Sequence, residues 1–172
     1  MASRFVNVLT LAVVVALSAS LWTTRRHEAE LRAELAYGTE SFVSGAPIPP
    51  IELRSANGAA RLDTLCDGRT PMLVYFHRGD CPACGRLDGS WKELGEGSRV
   101  ALHQIHLDGL PVTTEAGAAH WSASAGQVLR QARIRSVPAV IRVGRDCRVA
   151  AAGAGPYSTR LLFQRAAREA PR

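Results

Sequence analysis

Cysteine is scarce in this chain. Four cysteines among 172 residues (Cys66, Cys81, Cys84 and Cys147) are too few for a disulfide-built scaffold, and a chain of this length can bury a core without one. Two are close in sequence and two isolated. That fits one redox pair with either one structural bridge or two spare thiols. Lysine is almost absent: Lys92 is the only one, so the net charge of +6 is carried by arginine. The arginines are scattered (Arg25, Arg54, Arg86, Arg135) rather than clustered with aromatic residues, which argues against nucleic acid as a partner. An ordinary apolar content of 47% speaks against both disorder and a polytopic membrane protein. No internal repeat is present.

What is there begins with an apolar leader. Phe5 to Trp22 carries no charge, with Arg4 before it and Arg25 and Arg26 after. It is long enough to cross a hydrocarbon core as a helix and is apolar on all sides, unlike an amphipathic core helix. Two fates compete. Ala16-Leu17-Ser18 offers the small residues of a cleaved signal peptide. Trp22 at the boundary, followed by the charged helical stretch RRHEAELRAELA, favours an uncleaved anchor. The expectation is residues 1–24 as anchor or signal peptide, 25–45 as juxtamembrane helix and linker, and 46–172 as one domain. It places the chain in the cytoplasmic membrane by a single pass, with the domain on the extracytoplasmic, periplasmic or cell-surface side, where disulfides persist.

Within the domain, Thr39 to Pro50 reads as a Ser-, Gly-, Ala- and Pro-rich linker. Asn57-Gly58 between Ile51–Leu53 and Ala60–Leu62 predicts a hairpin. MLVYF at 72–76 is a continuous apolar run, as expected of a strand buried on both faces. Leu87, Trp91 and Leu94 share one helical face. Arg99 to Leu107 reads as a strand, and the Ala-rich Thr114 to Ala132 as mostly helical. Val137 to Val143 and Cys147 to Ala152 form a tight strand pair, and Ser158 is placed to cap a last helix. The fold class is α/β, with a mixed central sheet flanked by helices and an N-terminal β-hairpin extension.

The specific feature is Cys81-Pro82-Ala83-Cys84, directly after the buried strand and opening a helix. A helix N-terminus supplies unpaired N–H groups and a favourable dipole, which stabilise a thiolate. Pro82 suits the first helical turn, having no N–H to lose. Cys81 would attack a substrate disulfide, and Cys84, deeper in the helix, would resolve the mixed disulfide. A zinc site would need a second Cys/His pair. His103 and His106 are the local candidates, and three apart on a strand they face opposite ways.

These segments resemble the thioredoxin superfamily, and among its branches the membrane-anchored TlpA/ResA-like thiol–disulfide oxidoreductases, with the methylamine-dehydrogenase accessory thioredoxins as neighbours. The likeness runs from about Ala46 to the C-terminus. It rests on GAPIPPIEL with its Asn-Gly hairpin, on MLVYFHRGDCPACGRL and on IRSVPAVIRVGRDCRVAAAG. It implies a thioredoxin-like fold in which Pro138 is a cis-proline packed against the redox pair and Val137 offers its backbone to the substrate, with Pro82 and Ala83 completing the contact surface. It also implies disulfide exchange with protein clients, in the reducing direction, fed by a membrane redox relay and needing no cofactor or metal.

In a sheet of that kind Cys66 and Cys147 map to the same edge, away from the motif. A structural Cys66–Cys147 bridge is therefore expected, with two unrelated thiols as the alternative. The chain also departs from the family. Tyr75 stands at the position of the buried acid, Asp80 replaces a tryptophan, and Leu87, followed by Asp88, occupies the place of a glutamate. Asp80, Asp88 and His77 stay as candidates for handling the proton. A copper-handling module on the same fold is the alternative function, with His103, His106 or His120 as a possible distant ligand; such relatives space their cysteines one residue wider. A peroxidase lacks support, since YFHRGD before Cys81 is not a peroxidatic setting.

Overall fold

The computed structural model describes residues 13–26, 28, 43–95, 99–109 and 118–168. Residues 13–26 form an exposed helix, α1, whose Thr23 and Thr24 hydroxyls donate back to the Ser20 carbonyl. This corrects the expectation of a single-pass membrane protein. Among the described residues no helix is long and apolar enough to cross a membrane. The described run of fourteen consecutive helical residues, at 1.5 Å rise, spans about 21 Å, short of a hydrocarbon core of about 30 Å. Residues 1–12 and most of the expected juxtamembrane segment lie outside the described residues.

The linker ends by docking on the domain rather than leaving it. Gly45 N–H donates to the Val149 carbonyl at 2.8 Å and Val149 N–H to the Ala46 carbonyl at 2.9 Å, while Ile48 is buried. The hairpin follows as β1 (Glu52–Ser55) and β2 (Gly58–Arg61), turning at Asn57-Gly58. Gly58 has φ of 134°, a conformation that a side chain would strain. Next come β3 (Met72–His77), α2 (Pro82–Gly85), α3 (Asp88–Gly95) and β4 (Ala101–Leu107). The chain then continues through β5 (Ala119–Ala123), α4 (Ala125–Ala132), β6 (Ala139–Val143), β7 (Val149–Ala154) and α5 (Pro156–Arg168).

The described strands form a seven-stranded sheet in the order β2-β1-β5-β4-β3-β6-β7. The β3–β4 and β4–β5 pairs are parallel; the β3–β6 and β6–β7 pairs are antiparallel. All six residues of β3 are buried, because it is central and covered on both faces. Val74 and Phe76 face one core with Ile51, Leu53, Ile105, Val128 and Ile141. Leu73 and Tyr75 face the other with Leu87, Trp91, Leu94, Leu162 and Phe163. Each such side chain taken from water contributes about 1.5–3 kcal/mol.

Two sequence expectations change. The Ala-rich stretch is not helical throughout: residues 119–123 form β5, and 114–117 lie outside the described residues. The helix preference of alanine amounts to a few tenths of a kcal/mol per residue. Here it loses to a slot between β4 and β1, where β5 pairs along its length with β4 and meets β1 at Ser122. Ser158 does not start the last helix either. Pro156 does, two residues earlier, after Gly155 at φ 87°.

Candidate functional site

The site is built where β3 runs out. Arg78 to Asp80 turn the chain, and Cys81 is the N-cap of α2 in an extended conformation, φ −97° and ψ 103°. Its sulfur accepts the N–H of Cys84 at 3.1 Å, and its carbonyl accepts the N–H groups of Cys84 and Gly85 at 3.0 and 3.2 Å. Pro82 sits in the first turn of α2, exposed, with Ala83 half-buried beside it. Cys81 and Cys84 are disulfide-bonded with their Cα atoms 5.2 Å apart. Their surroundings differ: Cys81 is half-buried, whereas Cys84 is 1% exposed. A partner can approach the first sulfur and not the second.

Across from the motif, the Val137-Pro138 peptide bond is cis. The Val137 carbonyl oxygen lies 3.7 Å from Cys81 Sγ, although 56 residues separate them. The Pro138 carbonyl accepts the Gly155 N–H at 2.7 Å, which ties this loop to the end of β7. The other two cysteines lie at the opposite end of the β3–β6 pair. Cys66 precedes β3, Cys147 follows β6, and Met72 pairs with Val143 between them. They are bonded to each other with Cα atoms 5.7 Å apart.

Beneath the motif stands Tyr75. Its hydroxyl donates to the Cys84 carbonyl at 3.4 Å, and its ring packs on Trp91 at 5.2 Å and edge-on to Phe163 at 5.3 Å. Burial, helped by the charge of Asp88, holds the Tyr75 phenol well above its ordinary range, so it acts only as a neutral donor. Asp80 and Asp88 are exposed, and Asp80 is ion-paired with Arg78 at 2.9 Å.

The sequence reading missed a cluster on the same side of the sheet. His77 stacks on Tyr75 at 5.2 Å and meets His106 edge-on at 4.0 Å. His106 Nε2 lies 3.5 Å from His120 Nδ1. The Gln104 amide nitrogen is 2.9 Å from His77 Nε2. All four residues are buried. Burial, then the neighbouring His106 and His120, push His77 down to about 3. Burial and then His120 lower His106. Burial thus disfavours the charged form of His77 and His106. His103 is elsewhere: on the opposite face of β4, its Nδ1 accepts the Trp121 indole N–H at 3.1 Å, and burial lowers it to about 4. The register of β3, β4 and β5 assembles the cluster, pairing His77 with His106 and Gln104 with His120. No local pattern in the sequence announces that. Among the described residues, no three His, Cys, Asp or Glu side chains are grouped as a metal site.

A mixed sheet, a Cys-x-x-Cys pair at the mouth of a helix and a cis-proline facing it together define a thioredoxin-like fold. Solved structures of that fold match over most of this chain. One is a Bacteroides vulgatus protein assigned to the thiol-disulfide oxidoreductases, at 14% identity over 74% of this chain and 99% of that one, with a TM-score of 0.58. Others are a thiol:disulfide interchange protein from a Bacteroides species (14% identity, 76% and 91% covered, TM-score 0.52) and a DsbF homologue from Corynebacterium diphtheriae (15%, 74% and 92%, TM-score 0.50). No family model matches the chain, and no curated protein matches it in sequence.

Proposed function

We propose that this chain is a thiol–disulfide oxidoreductase that exchanges disulfides with protein clients through Cys81 and Cys84, acting as a reductant. The observation that carries the reading is the asymmetry of the pair. Cys81 is reachable, accepts an N–H and faces the Val137 carbonyl, while Cys84 is sealed beneath it. The names of the solved neighbours point the same way.

In the reduced protein, the Cys81 thiolate attacks one sulfur of the client disulfide and expels the other as a thiolate. The Cys84 N–H stabilises the charged sulfur before attack. Val137 and Pro138 hold the client chain beside Cys81, with Pro82 and Ala83 forming the near wall. Cys84 then gives up its proton and attacks Cys81 in the mixed disulfide. The client leaves as a dithiol, and the Cys81–Cys84 bond takes over its oxidised state. A second dithiol protein returns two electrons and two protons to the pair.

Cys66–Cys147 lies outside this cycle and serves as a structural brace. The reducing direction rests on the sequence resemblance. The test is the reduction potential of the Cys81–Cys84 pair in a Cys66→Ala/Cys147→Ala background, together with trapping by Cys84→Ala. A potential near the thioredoxin value of about −270 mV, with clients captured on Cys81, supports the reading. A potential near about −120 mV reverses the direction. Failure of Cys84→Ala to form any mixed disulfide removes the function itself.

A further inference from the structure

A cleft of about 260 Å³ borders the redox motif through Val137 and through Arg78, whose carbonyl accepts the Cys81 N–H at 3.3 Å. Its apolar wall is made by Leu107, Leu129, Ile134 and Val137, and its rim carries Arg78 and Arg135. Val137 is shared: its carbonyl lies 3.7 Å from Cys81 Sγ, and its residue lines the cleft. A polypeptide joined to Cys81 therefore lies beside a residue that also lines this opening.

Two features of the cleft discriminate among polypeptides. Leu129, 47% exposed, adds open apolar surface to the cleft wall. Among the described residues the lining includes two arginines and no carboxylate. Two acids of the flanking turns already have partners. Asp80 is paired with Nη2 of Arg78 at 2.9 Å, and Asp108 Oδ1 accepts the Ala125 N–H at 2.9 Å at the start of α4. A third guanidinium, that of Arg130, stands over Gly126 in the cleft wall, 3.4 Å from where a Cβ there would lie. The net charge of +6 biases encounter in the same sense.

We infer that the cleft selects clients whose reactive cysteine is flanked by a leucine-sized apolar side chain and an acidic residue, the first seated against Leu129 and Ile134 and the second held by Arg78 and Arg135. The inference rests on the proposed exchange activity. Arginine suits the task because its planar fork meets a carboxylate bidentately.

The probe is a set of synthetic peptides carrying Leu-Glu, Leu-Lys or Ser-Glu beside one cysteine, each activated as a neutral 2-thiopyridyl mixed disulfide. The Cys81 thiolate attacks the peptide sulfur and expels pyridine-2-thione, whose absorbance is followed. Cys84 then displaces the peptide thiol and releases its proton to solvent. At low ionic strength Leu-Glu reacts about tenfold faster than Leu-Lys, and the ratio shrinks as salt screens the arginines. Arg78→Glu/Arg135→Glu inverts that ratio, and Leu129→Ser abolishes the advantage of Leu-Glu over Ser-Glu. Equal rates for all three peptides, or a ratio indifferent to the arginine substitutions, overturns the inference. Hydroxyethyl disulfide, small and uncharged, separates the two levels. If wild type reduces it while the peptides do not differ, only the selectivity is wrong; if neither it nor any peptide reacts, the exchange activity is wrong.

Discussion

The two disulfides stand at opposite ends of the same β3–β6 pair, and almost everything about them differs except the bond. Cys81–Cys84 closes a loop over a sequence separation of 3; Cys66–Cys147 closes one of 81. Closing a short loop removes little freedom from the unfolded chain, while closing a loop of this length removes on the order of 4 kcal/mol. The first pair has an accessible sulfur, an N–H donated to it and a facing carbonyl. The second joins two elements that strand pairing already holds side by side. Position, rather than the cysteine itself, separates a bond suited to exchange from one suited to bracing the fold.

The sharpest way to break that contrast is to remove one sulfur at each end. Cys81→Ser is expected to lower exchange with a peptide disulfide by at least about a thousandfold, since no other thiol in the chain occupies its place. Cys66→Ala/Cys147→Ala is expected to keep the exchange rate within about twofold. The same double variant should lose on the order of 4 kcal/mol of unfolding free energy in denaturant titration. An unchanged midpoint would show that strand pairing alone suffices at that edge.

Acid should act on the redox end through the histidine cluster. His77 has a folded pKa of about 3 against an ordinary 6.5, so the unfolded chain binds more protons between those values. Stability is therefore complete above pH 6.5 and falls as pH drops through that window. His77 alone accounts for about 2 kcal/mol between pH 6.5 and 4.5. His77→Phe, which keeps a ring on Tyr75, should flatten this slope in denaturant titrations at stepped pH. A slope that does not change would place the acid sensitivity elsewhere. The smallest effect is expected from Tyr75→Phe. The Cys84 carbonyl keeps the N–H of Leu87 at 2.8 Å when the phenol is removed, so the cost is about 1 kcal/mol.

Those expectations differ in how far they could be reached without coordinates. The continuous run of β3 and the Asn57-Gly58 hairpin declare themselves locally, as does the tight β6–β7 return. So does the Cys-Pro-Ala-Cys segment that opens a helix. β5 does not, because Ala119 to Ala123 has no strong strand signal and becomes a strand through the neighbours it finds. With β5 misplaced, His120 was on a helix and the imidazole cluster stayed invisible. The apolar leader misled in the other direction, since hydropathy alone suggested a span, whereas no helix among the described residues is long and apolar enough to make one.

By itself the sequence determined which residues could do redox chemistry and on what kind of element they sit. Residue type, the 2.0 and 3.6 periodicities and turn chemistry are written within a few neighbouring positions. Only the tertiary structure decided between a Cys66–Cys147 bridge and two separate thiols, and only it brought three histidines from three strands into one buried cluster. Contacts between residues tens of positions apart depend on strand order and register, which arise from burying both faces of the whole sheet at once.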